Sequence, residues 1–173
     1  MMLKIIGLTI ILISCFLIGN LLANRYDKRY KQLLIFHQVI EFFETEISYT
    51  STPVMEVMEN IIGKVMSPIN EIIYEAYIEL KDYGYRPLGE VWKDVLESHK
   101  EYLALNKEDI DILIYFGNTL GTTDVENQKK YFQTIHSRIK SQIREADNNK
   151  IKYKKLFLEL GIIIGLLIII LIV

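Results

Sequence analysis

Gln32 to Tyr49 reads QLLIFHQVIEFFETEISY. Its apolar residues Leu33, Leu34, Phe36, Val39, Ile40, Phe43 and Ile47 recur at steps of three and four, the spacing of one buried face on an α-helix. The same periodicity continues downstream. Thr52-Pro53 reads as a capping residue followed by proline at the first helical position, so a new helix starts there, and Ser67-Pro68 repeats the device. Ile69, Ile72, Ile73, Ala76, Tyr77 and Leu80 carry the next stripe, which ends at the turn around Gly84 and Pro87. Leu88, Val91, Trp92, Val95 and Leu96 mark a fourth helix. Asn106 is placed to cap a fifth, with Glu108 and Asp109 in its first turn where the helix dipole favours anions. Its apolar residues are Ile110, Leu113, Ile114 and Phe116, and Gly117 and Gly121 loosen its end. Thr123 can cap a last helix bearing Phe132, Ile135, Ile139 and Ile143, which can run on into the C-terminal apolar segment. No stretch alternates as a half-buried strand does. The expected fold is all-α, an antiparallel bundle of about six helices.

The chain extends from this bundle into two apolar ends. Its 173 residues allow one ordinary domain, and nine Gly and three Pro are too few for a linker protein or a turn-rich β fold. A mean hydropathy of +0.18 is high for a chain that is 24% charged, so the apolar excess must be localised. Ile5 to Asn24 is uncharged and, as a helix, covers about 30 Å, the thickness of a hydrocarbon core. Leu160 to Val173 is also uncharged; Leu156, Phe157 and Leu158 extend it across Glu159 to roughly 27 Å. The resulting division is an N-terminal transmembrane helix at 1–24, a helical bundle at 25–155 and a C-terminal transmembrane helix at 156–173.

A removable signal peptide would have a shorter apolar core and small residues at its cleavage point, whereas this run continues through Phe16 and Leu17 to Leu22. Leu12 to Cys15 fits a loose lipidation motif, leaving lipid attachment at Cys15 as the alternative to a small buried residue. Arg25, Lys28, Arg29 and Lys31 follow the first run, and Lys150, Lys152, Lys154 and Lys155 precede the second, with Lys4 alone outside them. The positive-inside rule then puts the bundle in the cytoplasm.

Charge is uneven along the bundle. Glu41 to Asp111 holds 16 acidic and 6 basic residues, a net of −10, and Asp124 to Lys155 holds 4 acidic and 9 basic, a net of +5. The basic part adjoins the membrane and matches anionic lipid headgroups. The acidic part either receives a basic cytosolic partner or is a solvated face. Nucleic acid is excluded as a partner because the surface away from the membrane is acidic.

Chemistry is hard to find. His37, His99 and His136 stand on separate helices without HExxH or cysteine companions, and the single cysteine excludes multi-cysteine zinc sites. No P-loop, GxGxxG or GxSxG is present. Neither a catalytic residue nor a cofactor or metal site is expected, and the chain reads as non-enzymatic. Gly161 and Gly165 form a GxxxG pattern that lets another membrane helix approach closely.

Several features together resemble the stage III sporulation protein AB family. They include Ile18-Gly19 through Arg29 at the membrane exit, Glu44 to Tyr49 followed by Thr52-Pro53, and Glu90-Val91-Trp92. The most specific is Phe116, Gly117, Leu120, Gly121, Asp124 and Gln128 in the pattern FGxxLGxxDxxxQ. Thr52-Pro53-Val54 departs from the family, many members carrying leucine after the proline.

The resemblance implies a fold like the F-type platform component of type II secretion. It also implies membership of the complex linking mother cell and forespore, on the mother-cell side of the outer forespore membrane, with a secretion-type ATPase and other sporulation-complex membrane proteins as partners. The expected function is an assembly platform needed for forespore development. Self-association could supply the second bundle that secretion platforms carry in one chain. The alternative is a generic membrane-tethered helical adaptor outside sporulation.

The residues themselves support structural roles for the motif. Gly117 and Gly121 suit tight helix approach or a positive φ, and Asp124 or Thr123 suits a cap. Gln128 suits a hydrogen bond to the preceding loop. Trp92 suits the core.

Overall fold

The computed structural model describes residues 2–82, 84, 86–121 and 125–172, with side chains described from residue 6 to residue 171 apart from 83, 85 and 122–125. Every regular element among them is helical. The helices are α1 (Met2–Ser48), α2 (Val54–Ile61), α3 (Ile69–Asp82), α4 (Leu88–Ser98), α5 (Lys107–Thr119) and α6 (Val125–Ile172). They divide into two compact units, one of residues 31–144 and the other of residues 1–30 with 145–173.

α1 and α6 span 47 and 48 residues and contribute to both units. The apolar ends are therefore not separate elements. Residues 25–31 and 144–155 contain neither glycine nor proline, so nothing interrupts the backbone ladder where the composition changes. α1 is, among the described residues, the one helix long and apolar enough to cross a membrane. Its length and composition suit membrane association. α6 does not meet the same measure; its terminal apolar run is short and bordered by Lys155 and Glu159.

In the unit of residues 31–144 the expected stripes face inward. Leu33, Phe36, Val39, Ile40 and Phe43 of α1 are buried, as are Ile69, Ile72, Ile73 and Ala76 of α3, and Val91, Trp92, Val95 and Leu96 of α4. α2 packs on α3, α3 on α4 and α4 on α5, as short connections between consecutive helices favour. Phe116 of α5 is where the unit converges. Its ring meets Phe43 at 5.4 Å, Trp92 at 5.8 Å and Phe132 at 6.3 Å, joining α1, α4 and α6.

Helix starts use two devices. Asn106 and Asp109 form a reciprocal box: the Asn106 side chain accepts from the Asp109 N–H at 2.8 Å, and the Asp109 carboxylate accepts from the Asn106 N–H at 2.9 Å. Thr52-Pro53 departs from its expected reading by one residue. Pro53 occupies the N-cap position itself, without a side-chain cap, and α2 begins at Val54. Thr52 is not the cap: its hydroxyl donates to the Glu46 carboxylate at 2.9 Å and its N–H to the Glu46 carbonyl at 3.0 Å. The hydroxyl serves the end of α1 because that carboxylate lies within reach and is the stronger acceptor.

Candidate functional site

The motif that singled this chain out is a helix junction. Trp92, in the middle of α4, is 1% exposed, and its indole N–H donates to the Leu113 carbonyl of α5 at 2.8 Å. By helix geometry that carbonyl also accepts the Gly117 N–H. Gly117 lies directly under the ring, and a methyl group there would overlap the Trp92 side chain. The contact is reciprocated one turn away, where a Cβ on Gly89 of α4 would strike Asn118 of α5. Each helix thus lends a bare backbone patch to a side chain of the other, which brings the two axes close.

Phe116 and Leu120 are buried beside Gly117. Gly121 ends the element with φ +67°, the left-handed conformation that closes many helices. The two glycines thus do different work: Gly117 admits a neighbour and Gly121 takes the left-handed conformation. Gln128 is 2% exposed, and its amide makes no hydrogen bond among the described residues. Thr123 and Asp124, the expected caps, lie outside the described residues, as does most of the loop Gln128 was expected to reach.

Histidine placement could not be read from the sequence. His37 of α1 and His136 of α6 are separated by 99 positions yet meet edge to face with ring centroids 5.1 Å apart. His136 Nε2 bonds Glu44 at 2.8 Å, and His37 Nδ1 lies 3.6 Å from Glu41. Burial disfavours the charged form of His37 and holds its pKa below the ordinary value; Glu41 opposes this, while His136 and Lys140 add to it. Only the register of His37 in the apolar stripe, between Phe36 and the Val39-Ile40 pair, could have signalled its partial burial.

Beside the pair, Glu41, Glu44, Gln133, His136, Ser137, Lys140 and Arg144 line an open cleft of about 470 Å³. Its carboxylates and cations balance. Among the described residues no three His, Cys, Asp or Glu side chains stand together as a metal site.

In the other unit, Gly161 and Gly165 of α6 meet α1 closely. A Cβ on Gly161 would come within 2.8 Å of the Cys15 carbonyl, and one on Gly165 within 3.3 Å of Cys15 Cβ. Gly19 faces the same seam, 3.4 Å from Gly161 Cα when given a Cβ, and Ala23 is fully buried. Ile10, Ile13, Leu17 and Leu21 point away and are exposed. Small residues face the partner helix and large aliphatic ones are exposed. One turn beyond, Tyr26 stacks on Tyr153 at 5.1 Å and on Phe157 at 5.9 Å.

The comparisons with known proteins agree with one another. A family model described as stage III sporulation protein AB matches residues 4–173. The curated stage III sporulation protein AB of Bacillus subtilis (strain 168) is 26% identical over 170 residues, covering 98% of this chain and 99% of its own. A solved structure of a stage III sporulation protein AB superposes with a TM-score of 0.67 at 22% identity, covering 72% of this chain and 98% of its own; at that identity the likeness speaks for the fold alone. With its family model matched almost end to end, this chain belongs to the stage III sporulation protein AB family.

Proposed function

We propose that this protein is a non-enzymatic platform of the sporulation complex linking mother cell and forespore. It is held in the membrane at both ends and presents its helical unit to a secretion-type ATPase and other membrane proteins of the complex. A sporulation role follows from the family; the platform reading rests on the surface of the unit. Glu56, Glu59, Glu71, Glu75, Glu90, Glu97, Glu101, Glu108 and Asp111, on or beside α2 to α5, are all exposed. That acidic surface suits a basic protein partner, because opposed charge steers encounter and sets orientation. The buried motif residues Trp92, Phe116, Gly117 and Leu120 build the unit and leave recognition to its outside.

Both ends act as membrane helices in this reading. Their small-residue seam packs them as a pair, and their flanking lysines and arginines hold the bundle in the cytoplasm. The likeness to the F-type component of type II secretion is part of the same proposal, and a second copy supplies the second bundle.

Flotation tests it. Liposomes carrying the full chain should carry the purified sporulation ATPase to the top of a density gradient, and Glu97→Lys with Glu101→Lys should abolish this without changing the melting temperature. An ATPase that stays at the bottom with the native chain would defeat the platform reading. Orientation is checked separately, with Cys15→Ser combined with a cysteine at Gly84: the new thiol should resist membrane-impermeant reagents in intact cells.

A further inference from the structure

Near the start of the C-terminal apolar run, α6 carries Lys150, Lys154 and Leu158 at intervals of four, with Ile151 and Lys155 beside them on the same side. These five residues line an open groove of about 370 Å³. Its lining is almost wholly aliphatic, the methylene stems of Lys150, Lys154 and Lys155 included, and each stem ends in an ammonium group. Ile151 is 67% exposed, an unusual position for a β-branched aliphatic residue between lysines.

The level of the groove along the helix is marked by its neighbours. Tyr153, in the Tyr26 stack, has the Lys152 ammonium 5.2 Å from its ring, and tyrosines gather where headgroups lie. Two carboxylates touch the rim. Lys150 sits 3.7 Å from Asp147 and 4.2 Å from the Tyr30 ring, and Lys155, with its side chain 80% exposed, sits 3.8 Å from Glu159. Three cations against two anions leave one positive charge, the complement of a single phosphodiester.

We infer that this groove holds one anionic phospholipid, its phosphate among Lys150, Lys154 and Lys155 and its first acyl carbons against Ile151 and Leu158. The inference rests on the reading of residues 156–173 as a membrane helix. A zwitterionic lipid brings its own cation to the lysine rim and binds less well there. A soluble phosphate ester has nothing to cover Ile151 and Leu158.

The test uses the full chain in a neutral detergent, supplied with phosphatidylglycerol or phosphatidylcholine and examined by native mass spectrometry. One phosphatidylglycerol should be retained, about tenfold above phosphatidylcholine. Lys154→Gln with Lys155→Gln should remove that preference, Glu159→Gln should increase it, and Lys93→Gln, in the other unit, should leave it unchanged. Equal retention of the two lipids, or an unaffected double variant, overturns the site. Displacement of the lipid by millimolar glycerol phosphate overturns the acyl contact and with it the lipid assignment. Leu167→Cys with Cys15→Ser, in phosphatidylcholine bilayers, separates the two readings: labelling by a membrane-impermeant thiol reagent defeats the membrane reading of residues 156–173, and protection without headgroup preference defeats the lipid site alone.

Discussion

Gly117 is the position where one atom matters most. Its missing Cβ is the space the Trp92 indole occupies on its way to the Leu113 carbonyl. Gly117→Ala should therefore destabilise the protein by about 1–3 kcal/mol through overpacking, although alanine is the better helix former. Trp92→Phe should cost a comparable amount, about 1–3 kcal/mol, from the lost hydrogen bond and the cavity left by the second ring, although the Leu113 carbonyl keeps its helical partner. Denaturant midpoints measure both, and a Gly117→Ala variant as stable as wild type would show that the rings can shift aside. Gly121→Val meets a different barrier. Space is available there, since a Cβ would sit 3.4 Å from Val54, but φ +67° strains a β-branched residue. The expected loss is at least about 1–2 kcal/mol, and Gly121→Asn should recover part of it. Equal melting of the valine and asparagine variants would remove the conformational explanation.

For the elements, the decisive pairing is α1 with α6 at their apolar ends. The Gly161 and Gly165 backbone faces Cys15 and Gly19 within one chain. Gly165→Cys places a second thiol opposite Cys15, where the ideal Cβ separation is 3.3 Å, close to what a disulfide needs. Mild oxidation of the full chain in membranes should give a monomer of altered gel mobility that reverts with reductant. Cross-linked dimers as the main product would assign the seam to contacts between copies. A Gly161→Leu change should suppress the cross-link, because the added side chain forces the helices apart at the Cys15 carbonyl.

Stability of the helical unit as a whole should depend on pH through His37. Its folded pKa lies below the ordinary value of 6.5, so as pH falls the unfolded chain takes up the proton first. Stability is then full above about 6.5 and declines as pH drops from there toward the folded pKa. A fragment of residues 25–155 should be mainly helical by circular dichroism and melt at a lower temperature at about pH 5.5 than at about pH 7.5. His37→Gln should flatten that dependence. An unchanged slope would place the titration elsewhere, and a strand-dominated spectrum would remove the bundle altogether.

What the sequence determined by itself was everything periodicity and composition encode. The stripes at Leu33 to Phe43, Ile69 to Tyr77 and Val91 to Leu96 name their buried residues because a helix face is a local property of spacing. Asn106 announced its cap, and the FGxxLG pattern announced the family. Other features required the tertiary structure. Composition changes at residue 25, yet the compact unit begins at residue 31, because compactness depends on what α1 packs against. The sequence left Gly117 and Gly121 with two possible uses, and the folded structure assigned one to each: the Trp92 ring lies on the first, and the second takes the positive φ. His37 met His136 because two helix registers, set by distant apolar residues, happened to bring the rings to one level. Spacing along one chain fixes which face a residue occupies; only the packing of two helices fixes what stands opposite it.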